Sequence, residues 1–210
     1  MRLLRFAVFA AVLLATPAAS VGARAGTLSD SRVGFSADRT LILDGKAYVG
    51  KVWTMPGKER HEQMIRGFQP VFILREDSPI GDIVLAQLHT TVEFVFPAEL
   101  RLLADPRLTR HPIGHEVVNG IPTMEYAVDE TAPQGHAEGT LWLSRDGIPM
   151  RCEGTFTAPN GHHSTLKWEL SHVKIGPQPD ALFEVPQGFN KLPAEALAPL
   201  LGLKLKSAKG

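Results

Sequence analysis

The chain has 210 residues, with 22 Lys and Arg against 22 Asp and Glu, so its formal net charge is +0 with histidine neutral. That balance argues against a nucleic-acid partner, which would want a basic face. The single cysteine, Cys152, excludes an internal disulfide, so a packed core has to hold the fold together.

The first stretch, MRLLRFAVFAAVLLATPAASVGARAG, places Arg2 and Arg5 before an apolar run over 6–15, which Thr16 and Pro17 break. This is the layout of a cleaved secretory signal peptide. The run is too short to span a bilayer, which takes about 20 apolar residues. Ala23-Arg24-Ala25 fits the small-residue cleavage rule and puts the cut after Ala25, with Ser20 the other candidate. No cysteine follows the run, so no lipid-attachment site is expected. Cleavage would remove Arg2, Arg5 and Arg24, leaving 19 basic residues against 22 acids, a net charge of about −3. The remaining chain of about 185 residues suits one domain with a sizeable core. The expected organisation is a signal peptide over 1–25, one β domain over 26–192, and a short helix with a basic tail over 193–210.

Turn signals recur at short intervals: Asp44-Gly45, Pro56-Gly57, Asn119-Gly120, Asp146-Gly147 and Asn160-Gly161. Asn-Gly and Asp-Gly favour tight hairpins because both central residues tolerate positive φ. Between them lie strand-length runs, predicted at 34–43, 46–55, 58–66, 71–76, 82–88, 91–96, 115–118, 121–128, 138–144, 148–158 and 163–175. In KAYVGKVWTM, Ala47, Val49, Trp53 and Met55 align, with Lys51 interrupting them. KERHEQMIR carries charge on both faces, which predicts an edge strand blunted against aggregation. PAELRLLAD, over 97–105, predicts a helix opened by a proline. In IPMRCEGTFTA, Ile148, Met150, Cys152, Gly154 and Phe156 share one face, while Arg151, Glu153, Thr155 and Thr157 share the other. Leu166, Trp168 and Leu170 repeat that alternation, as do Met124, Tyr126 and Val128. PAEALAPLLG, over 193–202, predicts a second helix, limited by Pro199. About eleven strands in one long meander cannot stay flat, because strand twist accumulates. The fold class is therefore mainly β: a strongly curved, unclosed antiparallel barrel with a few short covering helices.

Enzyme chemistry finds little to attach to. There is no G-x-S-x-G elbow, no H-E-x-x-H, no phosphate-binding glycine loop and no cysteine–histidine cluster. His162 and His163 are adjacent, and neighbours in a strand point to opposite faces. Cys152 lies between Arg151 and Glu153 in an alternating strand and reads as a small buried apolar residue. No enzyme activity, cofactor or metal is expected. What remains is the concave apolar face, with large, adaptable side chains that suit a small-molecule pocket. The candidate ligand-binding residues are Trp53, Phe94, Tyr126, Trp142 and Trp168.

Several phrases occur in an order that resembles the periplasmic LolA/LolB-like lipoprotein-carrier superfamily. FSADRTLILDGKAYVGKVWTMPGKERHEQ is similar to its opening pair of strands and charged third, and PVFILRED to the next strand. GHEVVNGIPTMEYAV and GTLWLSRDGIPMRCEGTF look like its later hairpins, and PDALFEVPQGFNKL like its closing segment. The resemblance covers most of residues 34–192. It implies an open β-barrel whose helices cover an apolar cavity, in a soluble, monomeric periplasmic protein that is not itself a lipoprotein. The implied function is a carrier for a lipid, an acylated lipoprotein or another apolar ligand, released as the helical lid moves. Implied partners are the acylated ligand and a membrane protein or outer-membrane lipoprotein, with no nucleic acid. An envelope-stress sensor of the same fold is the alternative, and a hydrolase using histidines and acids at the cavity mouth a third. The closing segment itself is expected to stop the last long strand, anchor Leu182 and Phe183 in the core, and add a brief strand at Val185.

Overall fold

The structure, a computed structural model, describes residues 31–202 apart from 77, 96–107 and 134. The predicted helix over 97–105, the signal segment and the basic tail lie outside the described residues. Among those described, twelve strands form one sheet. The first six are β1 (Phe35–Leu43), β2 (Lys46–Met55), β3 (Lys58–Gln63), β4 (Val71–Arg75), β5 (Ile80–Leu85) and β6 (Thr90–Val95). Then follow β7 (Arg110–Val118), β8 (Ile121–Ala132), β9 (Gly135–Ser144), β10 (Pro149–Thr157), β11 (His163–Ile175) and β12 (Asn190–Leu192). A single α-helix among the described residues, α1 (Ala194–Leu201), closes the described chain.

The turn chemistry read from the sequence sets the hairpins. Asp44 and Gly45 have φ of 49° and 75°, and Asn119 and Gly120 have 48° and 83°, as a tight two-residue hairpin turn requires. The sheet is two meanders rather than one. β1 to β6 run consecutively, β7 to β11 run consecutively, and β11 returns to pair antiparallel with β1. β12 and β7 form the two edges and do not pair with each other, so hydrogen bonds leave the barrel open.

Strand alternation and cross-strand register separate an inner from an outer face. On β1, Phe35, Ala37, Arg39, Leu41 and Leu43 point inward. Their partners on β2 are Thr54, Val52, Gly50, Tyr48 and Lys46. The inward set continues through His61, Phe72 and Ile83 on one side, and through Trp168, Cys152 and Leu141 on the other. Among the described residues, three buried apolar clusters make up the core: one holds the inward Phe35, Ala37 and Val52 with Met150, Leu170 and Trp142, and the other two spread across this face. One joins Phe72, Leu74, Ile83, Leu85, Val92 and Phe94 of β4 to β6 with Ala194, Leu197 and Leu201 of α1. Those three helical positions recur at the spacing of one helix face, so α1 roofs that half of the sheet. The other cluster joins Leu41, Val128, Leu141, Cys152, Phe156 and Leu166 across β1 and β8 to β11.

The closing segment straps the outer face before it reaches the helix. Arg60 donates to the Leu182 carbonyl at 2.9 Å and Arg75 to the Phe183 carbonyl at 3.3 Å, while Lys58 reaches Asp180 at 3.3 Å. Phe183 is 0% exposed, as expected of a core anchor, and Leu182 is half-buried. The brief strand is not at Val185, which is irregular, but at β12, which pairs parallel with β6. The shift has a local cause: Pro186 and Gly188 turn the chain, Phe189 stacks on His89 at 4.3 Å, and only then does the backbone run alongside an open sheet edge.

Candidate functional site

The five candidate ligand-binding residues divide between the two faces. Phe94 points inward and is 2% exposed, edge-on to Phe72 with ring centroids 5.9 Å apart. Tyr126 and Trp168 also point inward, half-buried against the Leu41–Leu141–Cys152 cluster. By register Trp53 and Trp142 lie on the opposite strand face, and Trp142, 7% exposed, packs in a third buried cluster with Val118, Ile148 and Met150. Trp53 pairs with Ser36 and Arg60, and Trp142 with Glu125 and Arg151. Each carries a guanidinium over its ring, Arg60 at 5.8 Å and Arg151 at 5.2 Å. Arg151 is held there by Glu169 at 2.7 Å and Glu116 at 2.8 Å. These outer tryptophans are packed under cation–π covers.

The sequence reading missed a polar chain on the inner face. Arg39 donates from Nη1 to His61 Nδ1 at 2.7 Å and from Nη2 to Gln63 Oε1 at 2.9 Å. His61 Nε2 meets Glu59 Oε2 at 2.8 Å. An arginine can only donate, so His61 Nδ1 must accept, and the ring proton sits on Nε2 facing the carboxylate. Burial, then the Arg39 charge, lowers the His61 pKa from its usual value, against the opposing pull of Glu59. Burial also lowers the Arg39 guanidinium to about 10, which leaves it charged at neutral pH. The unit is thus a cation and an anion bridged by a neutral imidazole. Gly50 makes it possible. It lies between Arg39 and Gln63 in one cross-strand row, and a Cβ there would collide with the Glu62 carbonyl oxygen. With no side chain on β2, Arg39 spans from β1 to β3.

This chain also corrects the reading of β3. It is not an edge strand, because it pairs with β2 and β4. Its charges are neutralised in the interior of the sheet, inward by the Arg39 chain and outward by Arg60 with Glu62 at 2.6 Å. Cys152 behaves as a buried apolar side chain, 2% exposed, and burial pushes its thiol up to about 12. Of the adjacent histidines, His163 lies on β11 against Thr157 at 2.9 Å, while His162 is in the preceding turn. Among the described residues, no group of three His, Cys, Asp or Glu is placed to hold a metal.

A pocket of about 570 Å³ opens where β7, β8 and β9 end. Its apolar wall is built by Met124, Tyr126 and Leu143, all inward-facing. Its rim carries Arg32, Arg110, His115 and Arg145. Arg32 comes from the segment before β1. Its backbone N–H donates to the Asp146 carbonyl at 3.1 Å and its Nη2 to the Arg145 carbonyl at 2.7 Å, which ties the start of the domain to the β9–β10 turn. The cavity volume falls within the usual range for small-molecule sites.

No family model matches the sequence, and no curated protein matches it. Solved structures do. An uncharacterized conserved protein from Thermus thermophilus superposes with a TM-score of 0.50 at 12% identity, over 77% of this chain and 90% of that one. The likeness is one of fold. The fold is an open antiparallel sheet with a helix against its inner face. A LolA superfamily protein, NE2245 from Nitrosomonas europaea, superposes at 0.41 with 9% identity, over 73% of this chain and 91% of that one. MucB in the Pseudomonas aeruginosa MucA/MucB complex superposes at 0.46 with 16% identity over 79% of this chain, which spans only 60% of that one.

Proposed function

We propose that this chain is an exported binding or carrier protein of the periplasm, which holds a lipid, an acylated segment or another apolar ligand against the inner face of its open sheet. The observation that carries this reading is the open barrel itself. Among the described residues, an apolar inner face runs across the sheet, α1 packs on its β4–β6 part, and the β7–β9 end holds a pocket of about 570 Å³. Tyr126 and Trp168 are the residues proposed to contact ligand first, with Phe94 forming the floor under α1. Each methylene that leaves water for such a surface contributes about 0.8 kcal/mol. The described residues contain no helix long and apolar enough to cross a membrane, and the export signal we propose is residues 1–25. Native mass spectrometry of protein purified from periplasm, before and after delipidation, tests the proposal. A bound acylated species, or uptake of an acyl probe by the delipidated protein, supports it. A ligand-free protein with no affinity for acyl probes rejects it.

A second reading, an interaction protein that senses envelope stress, is favoured by one specific feature. Among the described residues β7 is an edge strand, and it leaves Ile113 56% and Val117 63% exposed. An unpaired edge with apolar side chains can accept an added strand from a partner. Photocrosslinking from Ile113 in cells distinguishes the two readings. A single protein adduct favours the sensor, and lipid adducts without protein favour the carrier.

A further inference from the structure

We infer that the β7–β9 pocket takes the anionic end of an amphiphile, a carboxylate or phosphate head, with the attached chain running along the apolar inner face. The inference rests on the proposed binding function and specifies its ligand. It starts from a local charge imbalance. The chain as a whole has as many acids as bases, yet the described pocket lining brings Arg32, Arg145 and His115 to the rim and holds no Asp or Glu; Arg110 also lines it but is already partnered, and the inference does not rest on it. The nearby acids of β7 and β8 face away. Glu116 and Glu125 alternate to the outer face, and Glu116 is bonded there to Arg151. Glu130, which shares the inner face of β8, lies beyond Val128 and does not line the pocket.

The cations also come from separate parts of the chain. Arg32 precedes β1, and Arg145 sits in the β9–β10 turn. Local sequence bias cannot bring Arg32 and Arg145 to one rim; the Arg32 contacts to the Arg145 and Asp146 carbonyls do. Guanidinium forks match the geometry of carboxylate and phosphate oxygens, and each can offer two parallel donors. The wall opposite them is Met124, Tyr126 and Leu143, and Tyr126 and Leu143 continue into the cluster with Leu141 and Cys152. A charged rim that leads directly onto an apolar floor suits a molecule with both characters. A free inorganic anion would use only the rim.

The test uses four probes on the delipidated mature protein: dodecanoic acid, its methyl ester, dodecyl phosphate and inorganic phosphate, each titrated by calorimetry below its micelle concentration. The acid and the alkyl phosphate are expected to bind at least about tenfold more tightly than the ester at low salt. That ratio should shrink toward one at about 1 M salt, where the screening length falls to about 3 Å. It should also collapse in the double variant Arg32→Gln, Arg145→Gln. Both side chains are exposed, and a thermal melt checks that the variant stays folded. Equal binding of acid and ester overturns the head-group inference and leaves the carrier reading intact. If no alkyl probe binds, both fall. A preference for acid that survives the double variant overturns this placement of the head. Inorganic phosphate that binds as tightly as dodecyl phosphate overturns the amphiphile and leaves a plain oxyanion site.

Discussion

The two halves of the inner face obey the same strand rules and end differently. Across β4 to β6, inward Phe72, Leu74, Ile83 and Phe94 meet Ala194, Leu197 and Leu201 of α1, and the result is a sealed core. At the β7–β9 end, inward Met124, Tyr126 and Leu143 line an opening rimmed by arginines. An alternating strand supplies an apolar face in both places. What lies over that face decides whether it becomes core or site. Between the halves stands the Arg39–His61–Glu59 chain, a polar seam that neither cluster includes.

The sharpest way to break the comparison is to loosen the sealed half from outside. Phe183 anchors the strap over β3 and β4, and Phe183→Ala is expected to cost about 3–5 kcal/mol in urea unfolding. A loss near zero would show that the strap is not integral to that half. Next comes a matched pair on the inner face. Leu197 is 1% exposed under α1, and Leu197→Ala should cost about 2–4 kcal/mol. Met124 is half-buried at the pocket wall, and Met124→Ala should cost under about 1.5 kcal/mol, because less of its surface leaves water on folding. Equal losses would erase the distinction between core and pocket.

Much of this division was legible in the sequence. Met150, Cys152 and Phe156 against Arg151, Glu153 and Thr155 gave the two faces of β10 without ambiguity, because both alternate sets are chemically pure. β2 did not, since Trp53 and Met55 look more apolar than Gly50 and Thr54. The inward set of β2 follows from its pairing with β1, where Leu41 meets Tyr48 and Ala37 meets Val52. The same limit applies to Trp142, set between Leu141 and Leu143 in an all-apolar run, where periodicity cannot assign a face. The charges of KERHEQ suggested an edge for an equivalent reason. Local composition shows that charge is present, and only tertiary contact shows that Arg39, more than 20 residues away, neutralises it. The basic rim joins residues 113 positions apart, a proximity that no local pattern encodes.

The polar seam gives the next test, through pH. The folded pKa of His61 is lowered relative to the unfolded chain. Between the two values the unfolded state binds more protons, so stability rises with pH there. The seam's contribution is therefore fully present above about 6.5, the unfolded value, and is lost as pH falls below it. Urea midpoints measured between pH 7.5 and 5.5 should decline, and His61→Gln should flatten the decline across that window. An unchanged slope in His61→Gln would assign the effect to other groups and remove His61 from the seam's electrostatics.

The smallest effect tests the boundary of the open half, and it needs no substitution. Cys152 lies in the cluster that continues the pocket floor, and its thiol is pushed up to about 12 by burial. Alkylation requires the thiolate, so at pH 8 the native protein should react far more slowly than the unfolded chain. The residual rate then reports opening of that cluster, because a fully packed interior admits no reagent. If the β7–β9 end is the mobile, ligand-accepting half, the rate should rise at urea concentrations below the global unfolding transition and should fall when dodecanoic acid occupies the inner face. A rate that follows only global unfolding, with no response to ligand, would place Cys152 within a core as closed as the one beneath α1. The two halves would then differ at the rim alone.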